Sequence, residues 1–240
     1  MDNLLIVGTS HIASQSVKEV NEAFEGFRPD IIAVELDPHR LYALTHKQKG
    51  FSFRDAMSVG FTGFLFSLIG GFIQKRLGRI VGMDPGSEML EAVRIAKAKK
   101  VRFALIDQDI QITLARFSKS LTWREKFRIV GDIFSGIFFR KRQMSKYGLD
   151  SIDLDKVPEQ ELIRKMISII RKRYPNIYKV LIHERNRYMA DRLSYILEHE
   201  PDRRVLAVVG AGHKDGMEKM LSKGAAPASP DYSFSYEFKS

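Results

Sequence analysis

The chain has 240 residues, 44% of them hydrophobic, which is enough to bury a core and excludes a disordered, collagen-like or small peptide-scaffold protein. It contains no cysteine, which excludes disulfides, thiolate zinc sites and cysteine nucleophiles. The 39 basic residues outnumber the 29 acidic ones, so the net charge is +10 and an acidic lipid, nucleic acid or acidic protein must be considered as partner. The first residues lack the basic region and long apolar core of a signal peptide, and we expect them to enter a strand directly.

The positive charge is concentrated in one part of the chain. Residues 112–187 hold 18 Lys and Arg against 8 Asp and Glu, so this segment carries the whole excess and the rest of the chain is balanced. The segment therefore predicts where an anionic membrane surface or an acidic partner would bind. Nucleic acid is disfavoured because aromatic residues do not alternate with the basic ones in any readable motif.

Four short apolar runs predict buried parallel strands, because each is followed by polar residues and then by a helical repeat. They are residues 4–7, 31–34, 101–106 and 205–209. After the first run, Ser14 or Ser16 is expected to cap a helix, and after the second, Pro38 is expected to open one. Residues 84–100 predict a further amphipathic helix. This alternation predicts an α/β fold with a central, mostly parallel sheet flanked by helices.

The middle of the chain predicts helices without strands. From residue 112 to 199 the apolar spacing is helical, which indicates a large helical insertion at 112–200, before the last GxxH strand, within a single domain spanning residues 1–240. Residues 148–158 are the expected linker inside it, and residues 232–238 alternate like an edge strand. Residues 56–74 are uncharged but contain four glycines, so we expect a buried or interfacial helical segment rather than a membrane span.

Polar and ionisable residues follow all four predicted strands. The sequences are Gly8-Thr9-Ser10-His11, Glu35-Leu36-Asp37, Asp107-Gln108-Asp109 and Gly210-Ala211-Gly212-His213, so two strands far apart in the chain both end in a GxxH motif. Loops at the carboxyl ends of parallel strands meet in one crevice. We therefore expect His11, Glu35, Asp107 and His213 to converge there.

Two imidazoles and several carboxylates in one crevice suit a divalent metal, which would lower the pKa of a bound water and polarise a carbonyl. Without a metal, the same groups could act as acid and base on water directly. Structural roles stay open as well: Glu35 or Asp107 could cap the next helix, and a histidine at a strand end could serve only as a hydrogen-bond partner. Arg40, one turn into the following helix, either neutralises Asp37 or reaches the same crevice.

A second group of polar residues lies in the predicted helix around residues 181–188. Leu181, Glu184, Arg185 and Tyr188 share one face, so a carboxylate and a guanidinium interrupt an apolar stripe. Buried charges need partners. These two either pair with each other or reach the crevice, where Arg185 would bind a carboxylate or oxyanion and Glu184 would act as acid/base or ligand.

Six segments, taken in order, match a known pattern over nearly the full chain. The sequence resembles the TraB/PrgY family, which is associated with pheromone shutdown, in GTSHI, AVELDPHR, PGSEMLEAVRIAK, LIDQDIQITLARF, HERNRYMA and VVGAGH. That family is similar to a wider group containing Tiki proteases, erythromycin esterases and ChaN-like proteins. The resemblance implies an α/β core with a helical insertion and, from the Tiki branch, metal-dependent peptide cleavage.

The resemblance also implies which residues act. It assigns His11, Glu35 and His213 as the central set. The cofactor we expect there is a divalent metal, Mn, Zn or Co, and the sequence leaves its identity open. It places further polar motif positions at Arg40, Asp107, Glu184 and Arg185. Members of the family often continue into C-terminal membrane helices, and a longer form of this chain is expected to carry them.

Two functions of different classes follow. The first is a metal-dependent, peptidase-like hydrolase acting on a peptide or small carbonyl substrate, in the cytoplasm or peripheral at the membrane. The alternative is a non-catalytic protein that sequesters a peptide pheromone or small ligand in the same crevice at the membrane surface. A third hypothesis is a membrane-surface adaptor, which would contact an anionic membrane through residues 56–74 and through residues 134–139 beside Arg140-Lys141-Arg142. The sequence leaves the oligomeric state open and is compatible with a homo-oligomer.

Overall fold

The computed structural model describes residues 2–9, 13–46, 87–138, 159–224 and 235–236. Four predicted features lie outside these residues: the apolar segment at 56–74, the basic run at 140–142, the linker at 148–158 and the residue His11.

Four parallel strands form the central sheet, as the apolar runs predict. They are β1 (Leu4–Thr9), β2 (Ile31–Val34), β3 (Arg102–Leu105) and β4 (Val205–Gly210). The sheet order is β1-β4-β2-β3, and the short strand β5 (Ser235–Tyr236) adds antiparallel to the outer edge of β3, within the predicted edge strand. Because β1 and β2 both pair with β4, the last parallel strand of the chain lies between the first two.

Helices connect and cover the strands. Their bounds are α1 (Ala13–Phe27), α2 (Pro38–Thr45), α3 (Ser87–Lys99), α4 (Ile110–Ser120), α5 (Trp123–Phe138), α6 (Glu159–Arg173), α7 (Pro175–Tyr178), α8 (Arg185–His199) and α9 (Ala211–Leu221), with a π-helical turn (Lys179–Glu184) joining α7 to α8. Pro38 opens α2, as predicted. The predicted cap of the first helix was wrong: α1 begins at Ala13, so Ser14 and Ser16 lie inside the helix, whereas a cap must precede it.

The sheet is buried on both faces. Successive side chains of a strand point to opposite faces, so Ile32 and Val34 pack with α1 and α3, while Ile31 and Ala33 pack with α8 and α9. Both faces therefore need apolar side chains, which is why the strands read as continuous apolar runs rather than as alternating ones. Helices α8 and α9 also carry the polar residues of the candidate site in their first turns.

The segment between β3 and β4 is helical wherever the structure describes it. Helices α4 and α5 and the π-helical turn share a small core of their own, formed by Phe117, Leu121, Ile129 and Val180. Whether this segment is a subdomain with the limits 112–200 stays a prediction. Among the helices of the described ranges, none has an apolar stretch long enough to cross a bilayer.

Candidate active site at the strand ends

Each of the strands β2 and β3 is followed by two acidic residues that are separated by one other residue. They are Glu35 and Asp37 after β2, and Asp107 and Asp109 after β3. Asp37 accepts hydrogen bonds from two backbone N–H groups in the first turn of α2, at 2.9 and 3.1 Å, and Asp109 accepts one from the first turn of α4 at 2.7 Å. The second acid of each pair is thus the helix cap. The capping alternative for Glu35 and Asp107 is therefore wrong, and these two carboxylates have other partners, which are described next.

Arg185 joins those two carboxylates. Its Nε lies 3.0 Å from Oδ1 of Asp107 and its Nη2 lies 2.6 Å from Oδ2, a bidentate pair, while the same Nη2 also donates to Oε1 of Glu35. The Arg185 side chain is only 15% exposed. The guanidinium therefore reaches the strand ends. Its two hydrogen bonds to the Asp107 carboxylate form a bidentate pair, which is among the strong types of charged hydrogen bond.

Arg40 adds a second cation to this cluster. Its Nη1 donates to Oδ2 of Asp107 at 2.9 Å and to the backbone carbonyl of Glu35 at 3.5 Å. Of the two roles left open for Arg40, the structure therefore favours the crevice, since its guanidinium pairs with Asp107 and only its backbone N–H contacts Asp37.

His213 completes the cluster from the first turn of α9. Its Nδ1 lies 2.5 Å from Oδ1 of Asn186, the second residue of α8. An amide oxygen can only accept, so Nδ1 carries the proton and Nε2 keeps its lone pair. That Nε2 lies 3.3 Å from Oε1 of Glu35 and 3.3 Å from Nη1 of Arg185. An imidazole oriented by a hydrogen bond on its other nitrogen is the usual arrangement of a metal-binding histidine.

Two glycines make room for these contacts. Gly210, the first residue of the second GxxH motif, donates its N–H to Oε2 of Glu35 at 2.7 Å, and a Cβ there would lie 3.3 Å from that oxygen. Gly216, one turn after His213 on α9, faces Asn186, and a Cβ there would lie 2.1 Å from the Asn186 amide nitrogen. A side chain at Gly216 would therefore displace the residue that orients His213.

Burial and charge act in opposite directions on the titratable groups. Burial raises the pKa of Glu35, but His213, Arg185, Arg40 and the Gly210 N–H outweigh it and lower the pKa to about 2. Burial lowers the pKa of His213, and the Glu35 carboxylate only partly opposes that shift. Arg185 and Arg40 are the permanently charged groups that help keep Glu35 ionised.

Glu184 has a partner outside the strand-end cluster. Its Oε2 lies 3.0 Å from Nε of Arg116 on α4, so it does not pair with Arg185, the residue next to it. Glu184 ends the π-helical turn and Arg185 begins α8. A π turn changes the angular spacing of side chains and is frequent at functional sites. It sends the two neighbours to different partners, and the catalytic role expected of Glu184 stays a prediction.

The predicted ligand His11 lies outside the described residues. Thr9, two residues before it, pairs with Gly210 in the parallel register of β1 and β4, at the carboxyl edge that carries the cluster. Within the described residues, no group of three or more His, Asp, Glu or Cys side chains is arranged to hold a metal. Glu35 and His213 provide two adjacent donor atoms of the types that divalent metals accept.

Asn186 was missed by the sequence interpretation. It lies between Arg185 and Arg187 in a charged stretch, and the charged residues there were taken as the site candidates. A signal was nevertheless present: Asn186 has the helical spacing of Met189, Ala190 and Leu193, which are all buried. A polar residue in line with a buried apolar stripe must find a partner in the interior, and here the partner is His213.

The fold and the cluster are those of an α/β protein with a polar site at the ends of its parallel strands. Helices cover both faces of a parallel sheet, and buried carboxylates, an imidazole and guanidinium groups meet at its strand ends, where α/β proteins bind their ligands. The chain belongs to the TraB/PrgY/gumN family, whose profile matches residues 2–226. The family inferred from the six segments is thereby confirmed.

Similar proteins occur in archaea and in mammals. An uncharacterized protein of Methanocaldococcus jannaschii is 32% identical over 226 residues, which cover 92% of this chain and 54% of that protein. TraB domain-containing proteins of mouse and human are each 26% identical over 243 residues, covering 90% of this chain and 62% of theirs. The chain thus spans between half and two thirds of the length of these relatives.

Proposed function

We propose that the protein is a metal-dependent hydrolase acting on a peptide or small carbonyl substrate, with His11, Glu35 and His213 holding Mn, Zn or Co. The observation that supports it is the 3.3 Å separation of Glu35 Oε1 and His213 Nε2, both buried, with Asn186 fixing the imidazole so that its lone pair faces the carboxylate. An imidazole that is oriented through its other nitrogen and placed beside a carboxylate is an arrangement that metal sites use.

The other residues of the cluster support this chemistry. A bound divalent metal would polarise the substrate carbonyl and lower the pKa of a water molecule. Asn186 holds His213 in the tautomer that can bind a metal. Arg185 and Arg40 are anchored on Asp107, and their guanidinium groups supply positive charge for an oxyanion that forms nearby. Glu184, steered by Arg116, is the proposed acid/base residue.

Metal binding and peptide cleavage test the proposal together. We expect purified protein to retain or take up Mn, Zn or Co, and His213→Ala and Glu35→Gln to abolish both uptake and cleavage. His199→Ala is the matched control, since His199 is exposed at the end of α8 and hydrogen-bonds a backbone carbonyl of its own helix. Protein that binds none of these metals, or cleavage that both site variants leave unchanged, would overturn it.

A second result would point to the alternative function. If a peptide binds at the crevice with an affinity that depends on Glu35 and His213 but is recovered intact after long incubation, the protein sequesters its ligand and does not turn it over. Mass spectrometry of the bound fraction distinguishes the two outcomes.

A further inference from the structure

Two large aromatic side chains are exposed on helix α5. Trp123 is 67% exposed and Phe127, one turn later, is 71% exposed. Their rings contact each other with centroids 6.1 Å apart, and the ammonium of Lys126 lies 4.7 Å from the Trp123 centroid. Adjacent exposed aromatic rings on one helix face are a common mark of a binding surface.

The start of α5 is held firmly in place, so these rings are fixed on the outside. Thr122 and Glu125 form a reciprocal capping box around the first turn, with N–H to side-chain distances of 3.3 Å in both directions. Glu125 also accepts hydrogen bonds from Asn176 at 2.8 and 3.0 Å. One turn later, buried Ile129 packs in the small helical core. With this face anchored, Trp123 and Phe127 cannot turn inward.

The charges around the two rings are of one sign. Arg124 and Arg128 are exposed and Lys126 is half-buried, whereas the one acidic residue of this stretch, Glu125, is buried and hydrogen-bonded. Arg128 also donates to the backbone carbonyl of Arg173 at 2.6 Å, which brings the basic last turn of α6 beside α5. The surface formed by Trp123, Arg124, Lys126, Phe127 and Arg128, called the α5 patch below, therefore combines aromatic rings with cations.

We infer that the α5 patch docks onto an anionic lipid bilayer, with the two rings in the headgroup region and the three cations on anionic headgroups. Tryptophan prefers the membrane interface, and basic residues near an anionic bilayer add to the attraction. The apolar part of the patch is small for a protein partner. Two aromatic side chains at these exposures offer roughly 300 Å², whereas a stable protein interface buries about 800 Å² on each side. A fluid bilayer needs no such complementary area.

Trp123 is the only tryptophan of the chain, so its fluorescence reports on this patch alone. We expect vesicles of phosphatidylcholine with phosphatidylserine to shift its emission to shorter wavelength and to sediment the protein. Vesicles of phosphatidylcholine alone should do neither. Raising the salt concentration to 1 M should release the protein, because charges are then screened within about 3 Å. No blue shift and no sedimentation with anionic vesicles at low salt would overturn the inference.

Variants that keep the reporter identify the surface. Arg124→Gln combined with Lys126→Gln should weaken partitioning about thirtyfold, and Phe127→Ser should weaken it about tenfold. Lys219→Gln with Lys223→Gln removes the same charge from an exposed region at the end of α9, and Met166→Ser removes a half-exposed apolar side chain from α6. These controls should bind like the wild type. Equal losses in variants and controls, or self-association that Phe127→Ser abolishes, would replace the lipid partner with general electrostatics or a second copy of the chain.

Discussion

Replacing Arg185 with methionine tests the central contact of the site. The change removes the cation shared by Glu35 and Asp107, whose side chains are 9% and 2% exposed. Removing one partner of a buried ion pair costs about 3–5 kcal/mol, because a charge is left without compensation. Asp107 keeps Arg40, so the loss falls mainly on Glu35.

The cost of this substitution should depend on pH. In the wild type the pKa of Glu35 is lowered, so its contribution to the free energy of unfolding is present above pH 4.5 and is lost as the pH falls toward 2. Without Arg185, burial acts with less opposition and the pKa of Glu35 should rise. The variant then carries a poorly compensated buried charge at pH 7 and sheds it by protonation in mild acid. The difference in the free energy of unfolding between the wild type and the Arg185→Met variant should be largest at pH 7 and should become smaller as the pH falls.

Urea unfolding at pH 7 and at pH 4.5 measures both effects. Arg164→Met is the control, since it breaks an ion pair with Asp215 whose two side chains are 62% and 50% exposed, and it should cost at most about 1 kcal/mol. A variant at Arg185 that is as stable as the wild type, or a loss that does not change with pH, would refute the reasoning. Added Zn²⁺ or Mn²⁺ should restore part of the stability by supplying the missing charge, and this arm tests the proposed metal site separately.

Two substitutions at the back of the site address the orientation of His213. Asn186→Ala removes the acceptor on Nδ1 and should weaken metal binding by about 10- to 100-fold, measured by metal titration, with an unchanged affinity counting against a positioning role. Gly216→Ala introduces a Cβ 2.1 Å from the Asn186 amide and should cost about 1–3 kcal/mol in urea unfolding. The control is Gly131→Ala, where a Cβ meets nothing within 4 Å in the exposed middle of α5, and which should be stabilising. Equal behaviour of the two alanine variants would contradict the crowding at Gly216.

The sheet could be predicted because its signal is local. Each of the four strands is an uninterrupted apolar run followed by polar residues, and only burial on both faces of a sheet requires that pattern. The same logic predicted that Glu35, Asp107 and His213 would meet, since residues after parallel strands share one edge. The start of α1 was missed because the preference of a serine for the capping position is weak and local, and it does not fix at which residue the helix begins.

The partners within the site could not be predicted from the sequence. Glu184 and Arg185 are neighbours of opposite charge, so mutual pairing was a reasonable alternative. Their separation depends on a π-helical turn, which leaves no clear periodic signature in six residues. In the same way, Glu35 and Asp37 are both acids at one strand end. Which of them caps α2 depends on where that helix begins relative to the strand, a matter of tertiary geometry.

The position of β4 between β1 and β2 affects how the protein is made. During synthesis, β1 and β2 leave the ribosome long before β4, so β1 has no partner in the sheet and β2 has only β3 until residues 205–210 arrive. The contact of Gly210 with Glu35 links positions 175 residues apart. Contacts at such separations form late and slowly. The nascent chain therefore carries exposed strand edges until residues 205–210 are made and close them. Any activity of the strand-end cluster would begin only when that closure is complete.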